Sequence, residues 1–218
     1  AQYDFIVRMD ADDLMAPDRI EKQLRILLEQ NDIDLVSTGV LSLNSNREPV
    51  GARSVKKDHV LTPSNLIFSR SGIIHASIMA RKSWYQRNCY NESFPVAQDK
   101  ELWVRAYSNS DLNIFFIREY LYFYNEDGSV TKKKLLRAYK ISRRIIKESA
   151  GLKFTKRLKF YSYFSYMLKS FVVYFSSFFG NLSYIRNRRN KEQLSVDEKK
   201  YYHKIIKSIC SYTLPIKK

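Results

Sequence analysis

Cysteine is scarce in this sequence, with two residues in a chain of 218. Cys89 and Cys210 lie far apart and fit no metal-binding spacing, which excludes a cysteine-based metal site and favours a reducing compartment. The hydrophobic content of 44%, with 14% aromatic residues, is typical of a folded chain. The length suits one domain with a core, or a domain with an appendage.

Acidic residues are scarce in the second part of the chain only. Residues 132–218 contain 23 lysines and arginines against 4 aspartates and glutamates, whereas residues 1–131 contain 15 against 18. The formal net charge of +16 therefore comes entirely from the C-terminal part. Parts of such different charge are expected to have different partners, so we predict a boundary near residue 131.

Apolar runs alternate with helical patterns along residues 1–131, which predicts an α/β architecture. Strands are predicted at 4–9, 33–44 and 72–80 and in the segments NIFFI and LYFYN. Helices are predicted from Pro17 to about Gln30, at 62–70 and at 98–108. Residues 45–60 contain Pro49 and Gly51 and are predicted to form a loop. The apolar positions of the first helix are Ile20, Leu24, Leu27 and Leu28.

Four aspartates fall within nine positions, in the segment MDADDLMAPD (9–18), directly after the first predicted strand. Carboxylates in the pattern Asp-x-Asp suit a hard divalent cation that also binds substrate phosphates. Helix capping by Asp12 or Asp13 is the simplest alternative, but it explains one aspartate rather than three in four positions.

Two other chemistries share this pattern. Asp10, Asp12 and Glu21 fit three positions of a calcium-binding loop, but Leu14 and Met15 stand where the loop requires a ligand and a glycine. A phosphatase of the haloacid dehalogenase type would use the first aspartate as its nucleophile, but the downstream Gly-Asp pair of that family is missing.

A second acidic segment, AQDKELWVR (97–105), belongs to a predicted amphipathic helix. Asp99 is expected at or near the N-terminal end of this helix, where the helix dipole favours a charged carboxylate. An ordinary N-cap aspartate is an equally simple interpretation.

Together these segments resemble the family 2 glycosyltransferases of the GT-A fold. Order and spacing both match over about 60% of the chain. The matching segments are MDADDLMAPDRIEKQ (9–23), IIHASIMARKSWY (73–85), AQDKELWVRA (97–106) and LYFYNEDGSVT (121–131). The resemblance implies a partial GT-A sheet, Rossmann-like with flanking helices, in residues 1–131, and a basic α-helical region in residues 132–218.

The resemblance also implies an inverting sugar transfer from a nucleotide-diphosphate sugar, expected to be a UDP-sugar, with Mg²⁺ or Mn²⁺ as cofactor. Asp12 matches the residue that ligates the metal on the diphosphate, and Asp10 the residue that contacts the nucleotide or the metal. Asp99 matches the catalytic base that deprotonates the acceptor hydroxyl. Asp13 is expected to orient the loop, and Asp18 to serve the helix start.

Four further residues join the candidate site by the same comparison. Trp103 is expected to pack on an acceptor sugar or in the core, and His75 to lie in the core or beside the site. Gln98 stands where relatives more often have glutamate. Relatives often carry Tyr-Arg-x-His near the domain end; here Asn125 takes the arginine position, and Asp127 is the nearest substitute for a metal-site histidine.

The start of the sequence departs from the family. Relatives begin with about three βα units before Asp-x-Asp, and those units carry much of the nucleotide pocket. This sequence opens AQYDF, without an initiator methionine or a signal peptide. We therefore expect it to be the C-terminal portion of a longer enzyme. The alternative is a catalytically incomplete remnant that acts as a membrane-docked or nucleic-acid-binding basic module.

The basic region is predicted to contain helices at 131–148 and 195–210 around an aromatic segment at 160–182. Its apolar residues recur at steps of three or four: Phe160, Phe164, Leu168, Phe171, Phe175 and Phe178. Its serines and Lys169 favour a helix lying on an anionic membrane over one that spans it. The alternatives are a helical subdomain packed on the catalytic core or a second chain, and nucleic-acid binding, for which no recognition motif is present.

The combined prediction is a bacterial glycosyltransferase of surface polysaccharide synthesis, such as capsule or lipopolysaccharide. Its acceptor would be a saccharide or a lipid-linked saccharide. The protein would be cytoplasmic, peripheral on the inner face of the cell membrane, with no specific nucleic-acid partner.

Overall fold

The computed structural model describes residues 2–126, 131–149, 153–178 and 192–212, apart from the side chains of residues 177 and 178. Six strands form one mixed sheet. They are β1 (Phe5–Val7), β2 (Leu14–Met15), β3 (Leu35–Leu43), β4 (Pro49–Arg53), β5 (Met79–Arg81) and β6 (Ile114–Asn125). The sheet order is β1-β5-β3-β6-β2, and β4 pairs with β3.

Seven α-helices and one short 3-10 helix surround the sheet in the described residues. The α-helices are α1 (Arg19–Glu29), α2 (Pro63–Ile67), α3 (Lys82–Arg87), α4 (Gln98–Ser108), α5 (Lys132–Glu148), α6 (Lys156–Phe178) and α7 (Val196–Ser211). The 3-10 helix spans His75–Ser77. This arrangement confirms the predicted α/β class.

The sheet is centred on β3, whose nine residues are all buried. β3 pairs in parallel with β6 and antiparallel with β4 and β5. The register of β3 and β6 shifts on both sides of Gly39. A Cβ at Gly39 would lie 2.7 Å from the Arg118 carbonyl oxygen and 2.8 Å from that of Glu119, so this irregular pairing requires glycine.

Two predicted elements differ in extent. The segments NIFFI and LYFYN form one continuous strand, β6. The predicted loop at 45–60 is wrong in part, because it contains β4. The Asn44 side-chain oxygen accepts hydrogen bonds from the backbone N–H groups of Asn46 and Glu48, at 3.0 and 2.9 Å, and this turn returns the chain onto β3. Pro49 is tolerated as the first residue of the strand.

The predicted strand at 72–80 is also wrong in part, because only Met79–Arg81 is a strand. Residues 75–77 form the 3-10 helix instead, and the Ser77 side chain explains the change. Its hydroxyl donates to the Ile74 carbonyl at 3.0 Å and accepts from the Thr38 N–H at 3.1 Å. Serine hydroxyls that bond locally to the backbone compete with a regular strand ladder.

Helix α1 has the predicted extent but not the predicted buried face. The residues it buries fully are Arg19, Gln23 and Leu27, whereas Leu28 is 61% exposed. Two of the three positions on the inner face are thus polar, and their partners lie in distant parts of the chain.

The guanidinium of Arg19 lies in the interior without a carboxylate partner among the described residues. It donates to Gln23 Oε1 at 2.9 Å, to the Arg8 carbonyl at 2.9 Å and to the Ala76 carbonyl at 3.5 Å, and it lies 5.0 Å from the Tyr122 ring centroid. Burial lowers the pKa of Arg19 to about 10, so the group stays charged at neutral pH.

Gln23 completes this network. Its amide nitrogen donates to the Val36 and Ser77 carbonyls, both at 2.8 Å. Arg19 and Gln23 together therefore join β1, α1, β3 and the 3-10 helix. Buried polar groups of this kind are costly unless every member finds a partner.

The C-terminal helices pack on the rest of the chain. α5 and α6 contribute Ile145, Ile146 and Tyr166 to the same hydrophobic core as Trp84 and Trp103. On the opposite side, Ile206 of α7 packs with residues of β3 and β6. In the described part of the chain, no helix is both long and apolar enough to cross a membrane.

The contrast between the two faces of α1 can be tested directly. Gln23→Leu should lower the free energy of unfolding by about 2–4 kcal/mol, because it leaves the Arg19 guanidinium and the buried Val36 and Ser77 carbonyls without Gln23 as their hydrogen-bond partner. Leu28→Gln, the opposite exchange on the outer face, should change it by less than about 0.5 kcal/mol. Urea denaturation of both variants measures the difference. A larger loss for Leu28→Gln would contradict the burial described for α1.

Candidate active site

The aspartate loop, residues 10–13, follows β1 and is held by Asp13. The Asp13 carboxylate is buried and accepts hydrogen bonds from the Tyr122 hydroxyl and from the Asn125 N–H, the latter at 2.7 Å. The Tyr122 oxygen also accepts the Asp10 N–H at 3.1 Å. Burial raises the pKa of Asp13, and these hydrogen bonds oppose that rise. Asp13 orients the loop, as predicted.

Asp10 and Asp12 project from this loop at the surface. Asp10 forms an ion pair with Arg8 at 3.3 Å, with 41% of its side chain exposed. Asp12 is exposed, and the described residues give it no hydrogen bond or ion pair. Asp18 occupies the N-cap of α1 as predicted, but its carboxylate pairs with Lys22 at 2.8 Å instead of capping the backbone.

The implied metal can be compared with these ligands. Among the described residues, no three His, Cys, Asp or Glu side chains lie together as a metal cluster. Mg²⁺ is usually bound by one or two carboxylates, with substrate phosphates and water supplying the other ligands. Asp10 and Asp12 fit a cation of that kind.

Asp99 lies in the first turn of α4, where the prediction placed it. The N-cap residue Ala97 has a left-handed backbone, with φ of 57°, and makes no side-chain cap. The Asp99 carboxylate is half-buried on the wall of a cavity of about 880 Å³. It has no hydrogen-bond partner in the described residues, so it is available to a ligand in that cavity.

His75 is influenced by both candidate carboxylate groups. Burial and the charge of Arg8 lower the pKa of His75, whereas the charges of Asp99 and Asp10 act to raise it. Its Nε2 lies 2.7 Å from the Tyr90 hydroxyl. The 3-10 helix that carries His75 therefore places its imidazole close enough to Asp10 and Asp99 for the charges of both to act on it.

The remaining predicted residues are placed as follows. Trp103 is 4% exposed. Its ring is stacked on that of Trp84, with centroids 5.7 Å apart, and lies edge-on to that of His75 at 5.8 Å. This burial suits the core interpretation, although Trp103 also borders the cavity. Gln98 is exposed as the first residue of α4. Asp127 lies outside the described residues, so its metal role stays a prediction.

Sequence reasoning missed the basic residues around the cavity. Its wall includes Lys56, Arg70 and Lys100 beside Asp99. Lys100 Nζ donates to the Ile67 carbonyl at 3.0 Å and to the Tyr166 hydroxyl at 2.8 Å. Burial, assisted by the charge of Lys169, lowers the pKa of Lys100 to about 7.

A partial signal for Lys100 was present in the sequence, since it directly follows the candidate base. Its neighbours Tyr166 and Lys169 come from α6, more than sixty positions downstream, and no local pattern predicts that contact. Arg19 and Gln23 stood within the matched segment 9–23, but a helical pattern does not reveal buried polar partners.

Comparison with known proteins gives several relatives. No family model matches the sequence. The uncharacterized glycosyltransferase MJ1057 of Methanocaldococcus jannaschii is 27% identical over 138 residues, which is 62% of this chain and 47% of that protein. The O-antigen biosynthesis glycosyltransferase WbnJ of Escherichia coli is 29% identical over 150 residues, 67% of this chain and 57% of that protein.

A solved structure is also similar. Residues 1–349 of S. aureus TarS, in complex with UDP, align with a TM-score of 0.47 and 14% identity over 77% of this chain and 47% of that chain. This chain spans about half the length of the curated relatives it matches. The curated relatives confirm the resemblance predicted from the motifs: the chain is related to glycosyltransferases.

Proposed function

We propose that the protein transfers a sugar from a nucleotide-diphosphate sugar to a hydroxyl of a saccharide or lipid-linked acceptor. The observation that carries this proposal is that Asp10 and Asp99, from separate segments of the chain, both lie close enough to His75 for their charges to act on it. Glycosyl transfer needs one group of residues at the leaving diphosphate and another at the acceptor hydroxyl. The relative WbnJ is a glycosyltransferase of O-antigen biosynthesis, which supports a pathway that builds a surface polysaccharide.

Asp99 is the proposed base in this reaction. The acceptor oxygen forms a bond to the anomeric carbon of the sugar, while the bond from that carbon to the diphosphate oxygen breaks. The proton of the acceptor hydroxyl moves to the Asp99 carboxylate. Attack opposite the leaving group inverts the anomeric carbon, and it requires a base apart from the residues at the diphosphate; Asp99 lines a cavity that neither Asp10 nor Asp12 lines.

Asp10 and Asp12 are the proposed residues at the donor diphosphate. Mg²⁺ or Mn²⁺ bound there would neutralise the negative charge that develops on the leaving group. Asp13 and Tyr122 hold the loop in position by their hydrogen bonds. Assignment to family 2, and UDP as the nucleotide, are parts of this proposal that follow from the matched motifs.

His75 has a positioning role in this proposal. Its lowered pKa favours the neutral imidazole, so it does not compete with a substrate for the charges of Asp10 and Asp99. Its ring packs against Trp103 and its Nε2 pairs with Tyr90, which fixes the spacing of the two acidic groups.

The base assignment predicts the kinetics of one conservative variant. Asp99→Asn should lower kcat for sugar transfer by about 10²–10⁴-fold, because the amide cannot accept the hydroxyl proton. Asp32→Asn, which neutralises an exposed carboxylate with no partner in the described residues, is the matched control and should leave kcat unchanged. Transfer from a panel of nucleotide sugars provides the assay. Undiminished transfer by Asp99→Asn would show that Asp99 is not the base.

We also propose that α6 places the protein on an anionic membrane surface. Among the described side chains of this helix, only Ser162, Tyr166 and Val173 are fully buried. The outward side carries large apolar residues, all at least 46% exposed: Phe160, Tyr161, Phe164, Met167, Leu168, Phe171, Val172, Tyr174 and Phe175. The side chain of Phe178 lies outside the described residues.

The charge around this surface supports a membrane as its partner. The first turn of α6 carries Lys156 and Arg157, and Lys132 at the start of α5 lies 4.7 Å from the Tyr174 ring centroid. Each basic residue near an anionic bilayer contributes about 1 kcal/mol of attraction. Aromatic residues flanked by cations are typical of helices that lie in the headgroup region. The inner face of the cell membrane is the proposed location.

Flotation with lipid vesicles tests this surface. The chain should float with vesicles rich in phosphatidylglycerol and much less with neutral phosphatidylcholine. Replacing Phe164 and Phe171 together by serine should weaken flotation at least about tenfold, since each buried phenyl group contributes about 1.5–3 kcal/mol. Tyr201→Ser, at a residue of α7 that is 60% exposed, serves as the control.

Two results would contradict the membrane proposal. One is binding to DNA without binding to anionic vesicles, which would favour a nucleic-acid partner. The other is a dimer in size-exclusion chromatography that the Phe164 and Phe171 substitutions dissociate, which would make the surface an interface between two chains.

A further inference from the structure

The cavity beside Asp99 is separate from the aspartate loop. It encloses about 880 Å³, and neither Asp10 nor Asp12 lines it. Its walls come from the centre of β3, the segment after β4, the end of α2 and the first turn of α4. Such a volume is large enough for a saccharide with an attached charged group.

The described wall of the cavity carries more positive than negative charge. Lys56, Arg70 and Lys100 line it, and none of the three forms an ion pair in the described part of the chain. Of its two acidic residues, Glu192 is already hydrogen-bonded to the Tyr120 hydroxyl. Asp99 is thus the one acidic group in the described wall without a hydrogen-bond partner.

Lys100 is the most deeply placed of these cations. Its Nζ lies 4.3 Å from the Tyr166 ring centroid, and Lys169 Nζ lies 4.5 Å from the same centroid on α6. Burial and, to a smaller extent, the charge of Lys169 lower the pKa of Lys100; burial and then the charge of Arg70 lower the pKa of Lys169. Positive charges that repel one another beside a cavity are stabilised when an anion enters it.

The location of the cations indicates whether the bound anion belongs to the donor or to the acceptor. Lys100 and Asp99 are consecutive in the first turn of α4, so a group held by Lys100 places the adjoining part of its molecule at the proposed base. The donor diphosphate belongs at Asp10 and Asp12, outside the cavity. α6 supplies Tyr166 beside Lys100 on its inner side and the apolar membrane surface on its outer side.

We propose that this cavity binds the phosphate or diphosphate group of a lipid-linked acceptor, with Lys100 and Arg70 holding that group and the acceptor hydroxyl reaching Asp99. The assignment to the acceptor rests on the proposed function, in which Asp99 is the base. The guanidinium of Arg70 and the ammonium of Lys100 are both strong donors to phosphate oxygens.

Titration calorimetry on the full chain tests this with three probes: inorganic pyrophosphate, geranyl diphosphate and UDP. Arg70→Gln and Lys100→Met should each weaken binding of the first two probes about tenfold, as expected for loss of one charge-assisted contact. Both should leave UDP binding unchanged. Arg25→Gln, which removes an exposed cation of α1, is the matched control and should affect none of the probes.

Several results would overturn the proposal. If pyrophosphate and geranyl diphosphate bind the Arg70 and Lys100 variants as tightly as they bind Arg25→Gln, the cavity is not the anion site. Loss of UDP binding alone would assign the cations to the donor. Arg70 is exposed, so Arg70→Gln should retain the wild-type thermal unfolding temperature and remain informative even where Lys100→Met unfolds.

The pH dependence gives a readout that a structural role for Lys100 would not produce. The groups that act directly on Lys100 are Asp99 on α4 and Tyr166 and Lys169 on α6, and Arg70 acts in turn on Lys169. Because the pKa of Lys100 lies at about 7 without ligand, anion binding should draw a proton onto it. The affinity ratio of wild type to Lys100→Met for pyrophosphate should therefore rise as the pH falls through about 7, and a constant ratio would contradict the proposal.

This binding test is separate from the test of sugar transfer. Anion binding that depends on Arg70 and Lys100, together with undiminished transfer by Asp99→Asn, would refute the base assignment and leave the anion site standing. Transfer that depends on Asp99, with anion binding indifferent to Arg70 and Lys100, would refute the anion site alone.

Discussion

The buried guanidinium of Arg19 is the interaction on which the candidate site depends. It holds the Arg8 carbonyl at the end of β1, the Ala76 carbonyl beside His75, and the ring of Tyr122. Tyr122 in turn holds Asp10 and Asp13 of the aspartate loop. A buried cation satisfied by carbonyls and an aromatic ring is costly to disturb. The spacing between the proposed donor residues and His75 is therefore fixed by the core rather than by the loop itself.

Helix α6 connects the basic C-terminal region to this site. On its inner face, the hydroxyls of Ser162 and Tyr166 each donate a hydrogen bond of 3.3 Å to the Ile67 carbonyl at the end of α2. Tyr166 also contacts Lys100. Its outer face is the proposed membrane surface. The two predicted interpretations of this region, a membrane helix and a subdomain packed on the core, thus describe opposite faces of one helix. A membrane-bound acceptor would approach the cavity along that helix.

Local signals predicted the elements of this fold better than its contacts. α4 begins and ends where its pattern placed it, and Asp99 falls in its first turn, because these features depend on neighbours within a few residues. The inner face of α1 was mispredicted because Arg19 and Gln23 are buried by partners at Ala76 and Ser77, over fifty positions away. The cations of the cavity were missed for the same reason, since α2, α4 and α6 meet only in the folded chain.

The central claim is that the donor binds at Asp10 and Asp12 and the acceptor binds in the cavity beside Asp99. Backbone NMR spectra of the chain, recorded with UDP and paramagnetic Mn²⁺ and separately with geranyl diphosphate, test it most directly. We expect Mn²⁺ with UDP to broaden the amide signals of residues 10–13 first, and geranyl diphosphate to shift those of Arg70 and Lys100. Broadening by Mn²⁺ and UDP that is centred on Arg70 and Lys100 would contradict the account.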